Sequence, residues 1–295
     1  MKLKLLLLLS WLKRFNNLVK KVAYLGPPGT YSEQAARDWD AGAVLVPVDS
    51  IPSVALSVVS GDADEGVVPI ENSIEGGVTF TLDLLIHDSE LYICGETVVT
   101  INQCLMAQSR MELDAIKIVM SHPQSLGQCR DFLRESMPNA ELIASLSNSA
   151  AVQEMMESDV STAAISSKRA AEIYGAEILM ENVEDRPNNE TRFVTLSHVD
   201  EEPTGSDMTS LCFEYQDDSP GILSQSLREF ASRNINLAKI ESRPNKKSLG
   251  RYVFLVDIEG HRSDSLVAEA LEAVRTQVSM MKVLGSYPMS SWRDS

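Results

Sequence analysis

The usual signatures of metal and redox chemistry are missing from this 295-residue sequence. Its four cysteines, Cys94, Cys104, Cys129 and Cys212, lie too far apart for a CxxC pair, and its four histidines form no HxH or HExxH pattern. That argues against a zinc site or a catalytic dithiol, so no metal is expected. Scattered cysteines suit a reducing cytoplasm better than export, and a cytoplasmic location is expected. Basic residues are scarce, 26 Lys and Arg against 42 Asp and Glu, for a formal charge of -16. A nucleic-acid binder needs a basic face to neutralise phosphates, so that class is set aside. The run "GPPGT" lacks the GK[ST] ending of a nucleotide-binding Walker loop. The apolar run from Leu5 to Leu12 is far too short to span a bilayer.

What is present is an ordinary globular composition, 44% apolar and 23% charged, long enough for two or three domains and for a core that needs no staples. The first twenty residues resemble a signal-peptide core, but Lys13 and Arg14 stand where a small-residue cleavage site would. Residues 1–20 are expected to be an extension without stable membrane association, and the fold to begin near Lys21.

From there strand-like runs alternate with short helical ones: "KVAYLG", "GAVLVPV", "EGVVPI", then "IKIVMS", "ELIASLS", "TAAISS". Thr30 and Glu33 have the spacing of a capping box, Gly61 and Gly175 mark helix ends, and Asn148 or Ser149 is placed to open a helix. Such alternation predicts parallel α/β layers. Two blocks, about 21–100 and 101–179, suggest two lobes with a cleft, with 180–200 crossing back to the first. "SHVDEEPTGSDMTS" reads as a linker. Beyond it the order βαββαβ, with Ser219 as candidate cap and Pro220 opening its first helix, predicts a ferredoxin-like unit over 208–288.

Ligands of open α/β sheets sit where strands end and helices begin. Five stretches meet that rule: "GPPGTYS", "PIENSIEGG", "SHPQSLGQ", "SNSAA" and "ISSKRA". All are rich in hydroxyls, amides and backbone N–H groups, which suits an anionic, hydroxyl-bearing substrate held by neutral donors. Each has a plainer reading: Glu71 and Asn72 as a turn, Ser121 and His122 as a cap, Gln128 as a satisfied amide. "RPNNETRFVTL" leads a polar loop into an apolar strand through Thr191, which on its own could be a strand-entry residue.

Together the motifs "VAYLGPPGTYSEQAA", "VVPIENSIEGGVTFTLDLL", "SHPQSLGQCRDFL", "AAISSKRAAEIYGAEIL" and "NNETRFVTL" closely resemble the prephenate dehydratase family, from Lys21 to about Pro288. The resemblance implies a two-lobed, periplasmic-binding-protein-like catalytic domain over 21–200 and a C-terminal regulatory ACT domain. It implies loss of CO2 and water from prephenate to give phenylpyruvate, without a cofactor, in phenylalanine biosynthesis. It assigns the central catalytic role to Thr191, with Glu71, Asn72, Ser121 and Gln128 in the catalytic set. Substrate contacts are expected from Thr30, Ser73, Gly76, Gly77, Ser166, Arg192 and Phe193.

Within the ACT segment "KIESRP" matches the family's phenylalanine-binding motif, which places the effector on Glu241, Ser242, Arg243 and Pro244. "PGIL" stands where the family often has a GALV-like motif and adds Gly221, Ile222 and Leu223, with Ile222 in place of a smaller residue. An effector bound between ACT units implies a homodimer or homotetramer. The residues before Lys21 are too few for a long helical chorismate mutase module, so a monofunctional dehydratase is expected. Two alternatives stay open: an arogenate dehydratase, and a non-catalytic amino-acid sensor built on the same cleft and ACT domain.

Overall fold

The computed structural model describes residues 19–217 and 219–290. Most of the expected N-terminal extension, residues 1–18, lies outside the described residues. Packing divides the chain into two units, one comprising the residues up to Val78 together with Val98–Phe193, the other Thr79–Thr97 together with the residues from Val194 onward. Among the described residues no helix is long and apolar enough to cross a membrane.

The strands are β1 (Lys21–Leu25), β2 (Val44–Val48), β3 (Glu65–Asn72), β4 (Gly76–Gly77), β5 (Tyr92–Thr100), β6 (Cys104–Ala107), β7 (Ile118–Ser121), β8 (Glu141–Ala144), β9 (Thr162–Ser166), β10 (Glu177–Glu181) and β11 (Glu190–Ser197), followed by β12 (Asp207–Glu214), β13 (Leu237–Pro244), β14 (Tyr252–Glu259) and β15 (Met280–Pro288). A first sheet runs β2-β1-β3-β11-β5 with β4 paired to β3, and a second runs β10-β6-β9-β7-β8. These two sheets are the expected two lobes of an α/β cleft. In the first, β1 pairs in parallel with both β2 and β3. The second is mixed: β7 is parallel to β8 and β9, but β6 is antiparallel to β9 and β10. The purely parallel layers expected from the alternation are corrected here. The run "LYICGETVVTINQCLMA" looks like one continuous strand region, yet it leaves the first sheet at Thr100 and re-enters as β6 of the second.

The helices are α1 (Tyr31–Trp39), α2 (Ile51–Ser60), α3 (Thr79–Asp83), α4 (Pro123–Gln128), α5 (Arg130–Ser136), α6 (Asn148–Met156), α7 (Lys168–Tyr174), α8 (Ile222–Ala231) and α9 (Ser265–Arg275). Their ends follow local chemistry. Ser50 caps α2 by accepting from Ser53 N, and Gly61 ends it with φ 77°. Gly175 ends α7 in the same left-handed conformation. Ser147, not Asn148 or Ser149, caps α6 and accepts from Ala150 N. The segment after His122 forms two helices, α4 and α5, broken at Cys129.

Burial follows the layers. Val22, Tyr24, Ala35, Ala36, Val67, Val99, Ile101 and Phe193 form one core cluster of the first lobe. Two clusters line the opposite faces of the second sheet, one around Leu105, Val119, Leu133 and Ile165, the other around Met106, Val152, Met155 and Ala164. A strand buried on both sides cannot alternate, which is why β9, "TAAIS", is buried throughout.

In the second unit β12, α8, β13, β14, α9 and β15 give the antiparallel order β13-β14-β12-β15 of a ferredoxin-like sheet. Its core gathers Leu211, Phe213, Phe230, Val256, Ile258, Val267 and Val274. The first of its helices begins at Ile222 rather than at Pro220. Gly221 at φ 89° is a conformation outside the helix, and it sets the boundary.

Gly285 of β15 is the tightest backbone approach in this unit: a Cβ there would lie 2.1 Å from the Ile93 carbonyl oxygen. Backbone cannot move aside as a side-chain tip can. Gly285→Ala is therefore expected to cost about 2–3 kcal/mol, the usual scale of forced overpacking, read as a lower urea midpoint. An unchanged midpoint would show that the approach is not a constraint.

Candidate active site

The motif residues of β3 and β11 meet through one buried amide. Asn72, at the end of β3, is 8% exposed. Its Oδ1 accepts from Ile74 N and Glu75 N, both at 3.0 Å, which fixes which end of the amide is oxygen. Its Nδ2 then faces three acceptors: Asn189 Oδ1 at 2.7 Å, Thr191 Oγ1 at 2.9 Å and Glu190 O at 3.1 Å. With two protons for three acceptors, one bond is shared. The network continues from Asn189 Nδ2 to Gln128 Oε1 at 3.2 Å, and Gln128 Nε2 reaches Glu75 Oε1 at 3.5 Å. Thr191, Asn72 and Gln128 are thus joined, with Asn189 as the link between the lobes.

Thr191 accepts from Asn72, and its own proton has no protein acceptor among the described residues. Strand alternation sends the neighbours the other way. Arg192 is 5% exposed and its Nη1 lies 3.9 Å from Glu71 Oε2. Phe193 is 2% exposed and belongs to the first lobe's core cluster together with Val22 and Tyr24.

A second cluster sits where the second sheet's strands end. Ser121 is fully buried and donates to Ile165 O at 2.7 Å, with Asn148 Oδ1 at 3.1 Å. The same Asn148 oxygen accepts from Ser125 Oγ at 3.0 Å and His122 N at 3.3 Å. Gln103 Nε2 donates to Ser125 at 3.1 Å. Ser166 is fully buried, and its hydroxyl has no hydrogen-bond partner among the described residues. Ser73 accepts from Glu190 N at 2.9 Å, and Gly76 and Gly77 pair with Asn72 and Glu71 to close the turn.

A cavity of about 860 Å³ opens in the first unit, walled by the Gly26–Ser32 loop, by Asp49, and by His122, Ser125, Asn148 and Ser167. Thr30 is on its wall, held by Leu25 O at 3.2 Å. Tyr31 also lines it, donating to Asn102 O at 2.6 Å, and burial holds its phenol well above the usual range, so it stays protonated. Thr191, Asn72 and Gln128 are not on that wall. The bridge is α4, which carries Ser125 toward the cavity and Gln128 to the Thr191 network, three residues apart and so on one helix face.

A family model described as "Prephenate dehydratase" matches residues 22–201, and one described as "ACT domain" matches residues 213–276. The chain belongs to the prephenate dehydratase family. It is 41% identical over 269 residues to the bifunctional chorismate mutase/prephenate dehydratase of Aquifex aeolicus, spanning 91% of this chain and 73% of that protein. The crystal structure of the prephenate dehydratase of Arthrobacter aurescens in complex with L-Phe superimposes with a TM-score of 0.84 at 37% identity, over 91% of this chain and 90% of that one. The structure of GqqA, described as a novel type of quorum quenching acylase, also reaches 0.84, at 29% identity over 93% and 100% of the two chains. One backbone thus carries two named activities, and the side chains must decide the reaction.

Family membership makes this chain an enzyme with a regulatory ACT domain, and the site chemistry fits a dehydratase. In the ACT unit Ile222 and Leu223 pack on the core, while Arg243 Nη2 lies 3.6 Å from Asp83 Oδ1 and Lys246 Nζ 2.7 Å from Asp83 Oδ2. Glu241 pairs with Lys239 at 3.4 Å, and Ser242 and Pro244 are exposed. Sequence reasoning did not single out Asn189, which stands in the quoted "NNETRF". Its 1% exposure beside a polar loop was the missing signal, and only the fold supplies it.

The four cysteines are free and buried. Burial pushes Cys104 and Cys212 up to about 11 and Cys129 up to about 12, so these thiols stay protonated and unreactive near neutrality. At pH 8, iodoacetamide is expected to leave all three unlabelled in the folded protein and to label them fully after denaturation, read by mass spectrometry. Rapid labelling of any of them in the native state would contradict the assignment.

Proposed function

We propose that the chain converts prephenate to phenylpyruvate, with Thr191 as the group that assists loss of the ring hydroxyl. The bond to the ring carboxylate breaks and releases CO2. Its electron pair enters the ring as the C4–O bond breaks, and the departing hydroxide takes up one proton to leave as water. Aromatisation supplies the driving force, so what the protein must provide is a placed proton donor and donors for two carboxylates.

The observation that carries this reading is the Asn72–Thr191 bond. Asn72 is locked with its amide toward Thr191, so the threonine oxygen is an acceptor within the protein and its proton is available outward. A threonine hydroxyl is a very weak acid, and it works here by hydrogen-bonding the leaving oxygen and relaying a proton, which demands placement more than a shifted pKa. The cavity admits the substrate past Thr30 and Ser125, and Gln128 meets it on the Thr191 side. Ser121, which is fully buried, acts through Asn148 rather than by touching substrate.

Phenylalanine is the proposed effector. The Glu241–Pro244 end of β13 and the Gly221–Leu223 start of α8 form its site together with a second copy of the chain. Support comes from β13 being an edge strand with Ile240 42% exposed, a surface open to pairing. A homodimer or homotetramer follows.

Thr191→Ala is expected to lower kcat by about a hundredfold or more with thermal stability and phenylalanine binding retained. The assay follows phenylpyruvate by its alkaline absorbance, with arogenate run in parallel. Undiminished turnover would remove Thr191 from the mechanism. Arg243→Ala is expected to weaken phenylalanine binding by about tenfold or more in calorimetry, the scale of losing a charge-assisted contact. Equal affinity would refute this placement of the effector.

A further inference from the structure

The capping-box spacing of Thr30 and Glu33 predicts that each side chain caps the other's backbone. Only half of this occurs: Thr30 Oγ1 accepts from Glu33 N at 3.3 Å. The Glu33 carboxylate reaches one residue further back, and its Oε2 accepts from Gly29 N at 2.5 Å. Its Oε1 takes Arg37 Nε and Nη2, both at 2.9 Å, from its own helix and faces Arg169 Nε of α7, in the other lobe, at 3.6 Å, an ion pair without a hydrogen bond, while Arg169 Nη1 reaches Glu172 of α7 at 3.0 Å. The Glu33 side chain is 4% exposed, while Arg37 and Arg169 are 47% and 32% exposed.

A carboxylate buried this deeply is retained only where hydrogen bonds and opposite charge offset its desolvation. Here the offset comes from both lobes and from the loop that walls the cavity. At Gly29 the two lobes approach closely: it has φ 88°, and a Cβ on it would lie 2.7 Å from Ser149 Oγ and 3.0 Å from Ala170 Cα. The carbonyls flanking this point are held from the second lobe, Gly29 O by Ser167 Oγ at 2.6 Å and Pro28 O by Ser149 Oγ. Thr30, the next residue, is on the cavity wall.

We propose that Glu33 is a positioning residue for substrate binding: its carboxylate, shared between Gly29 N and Arg169, fixes the Gly29–Thr30 loop against the second lobe and sets the cavity wall that meets the substrate. It touches no substrate itself. Its effect falls on the bound ground state, so KM carries it and the Thr191 step does not. The inference rests on the prephenate reading for its kinetic readout, but its structural readout does not.

The test uses the full-length protein with prephenate and the variants Glu33→Gln, Arg169→Gln and both together. Each single variant should raise KM by about tenfold or more with kcat within about threefold, and the double variant should be no worse than the worse single one, since the two groups act as one unit. Gly29 amide exchange should accelerate in Glu33→Gln without a large change in global unfolding. Arg169 is partly exposed, so Arg169→Gln keeps the test open if Glu33→Gln fails to fold. Unchanged KM in the folded single variants, losses that multiply in the double variant, or a Gly29 amide indifferent to Glu33→Gln would each overturn the proposal. If the unmodified protein makes no phenylpyruvate, the substrate reading fails instead, and the exchange measurement alone decides the role of Glu33.

Discussion

The amide of Asn72 is where the proposed chemistry of this molecule depends on its folding. A threonine can serve a reaction only if its oxygen is held and its proton is left over. Both conditions are met because Asn72 Oδ1 is fixed by two backbone N–H groups and cannot rotate its NH2 away from Thr191. That single side chain joins β3, β11 and the turn leading to Gly76. A buried amide left without partners costs about 1–3 kcal/mol, so the same bonds that prepare the site also hold the end of the first sheet. Stability and function are not separable at this position.

The wider site repeats the pattern. Asn148 does for Ser121, His122 and Ser125 what Asn72 does for Thr191 and Asn189: one acceptor gathers several donors and fixes their directions. The strong charges are paired with one another, Arg192 with Glu71 and Glu33 with Arg37 and Arg169. On the proposed reading a substrate with two carboxylates is met chiefly by hydroxyls, amides and backbone N–H groups, which suits a negatively charged chain that must admit an anion.

Local chemistry made much of the fold legible. Gly61 and Gly175 end their helices as their residue type allows, and the βαββαβ order over 208–288 led directly to the ferredoxin-like sheet. The misses are long-range. No periodicity distinguishes β6 in an antiparallel pairing from a parallel strand, because a doubly buried strand is apolar either way. Gly221 moved a helix start that Ser219 and Pro220 advertised, since a positive φ is a property of the folded loop. At the site, motif residues were legible as a set, but their division into those facing the cleft and those behind it was not. Thr191 and Phe193 are two residues apart on one strand. They share a face of the strand, yet one is at the network by the strand's entry and the other in the first lobe's core, a division no periodicity separates.

That last point explains why the polar strand entry at "NNETRF" is informative while the apolar continuation is not. Asn189 and Thr191 are buried polar groups, 1% and 9% exposed, at the entry to a strand whose next residues, Arg192 to Leu196, are buried as well. Burying them costs free energy that only specific partners offset, so their partners had to be placed by other segments: Asn72 by β3 and Gln128 by α4. Those segments are 117 and 61 residues away in the chain, so the requirement is satisfied only when both lobes are folded. The site is in that sense a product of lobe assembly, and the buried carboxylate of Glu33, shared between the lobes behind the loop that walls the cavity, belongs to the same assembly.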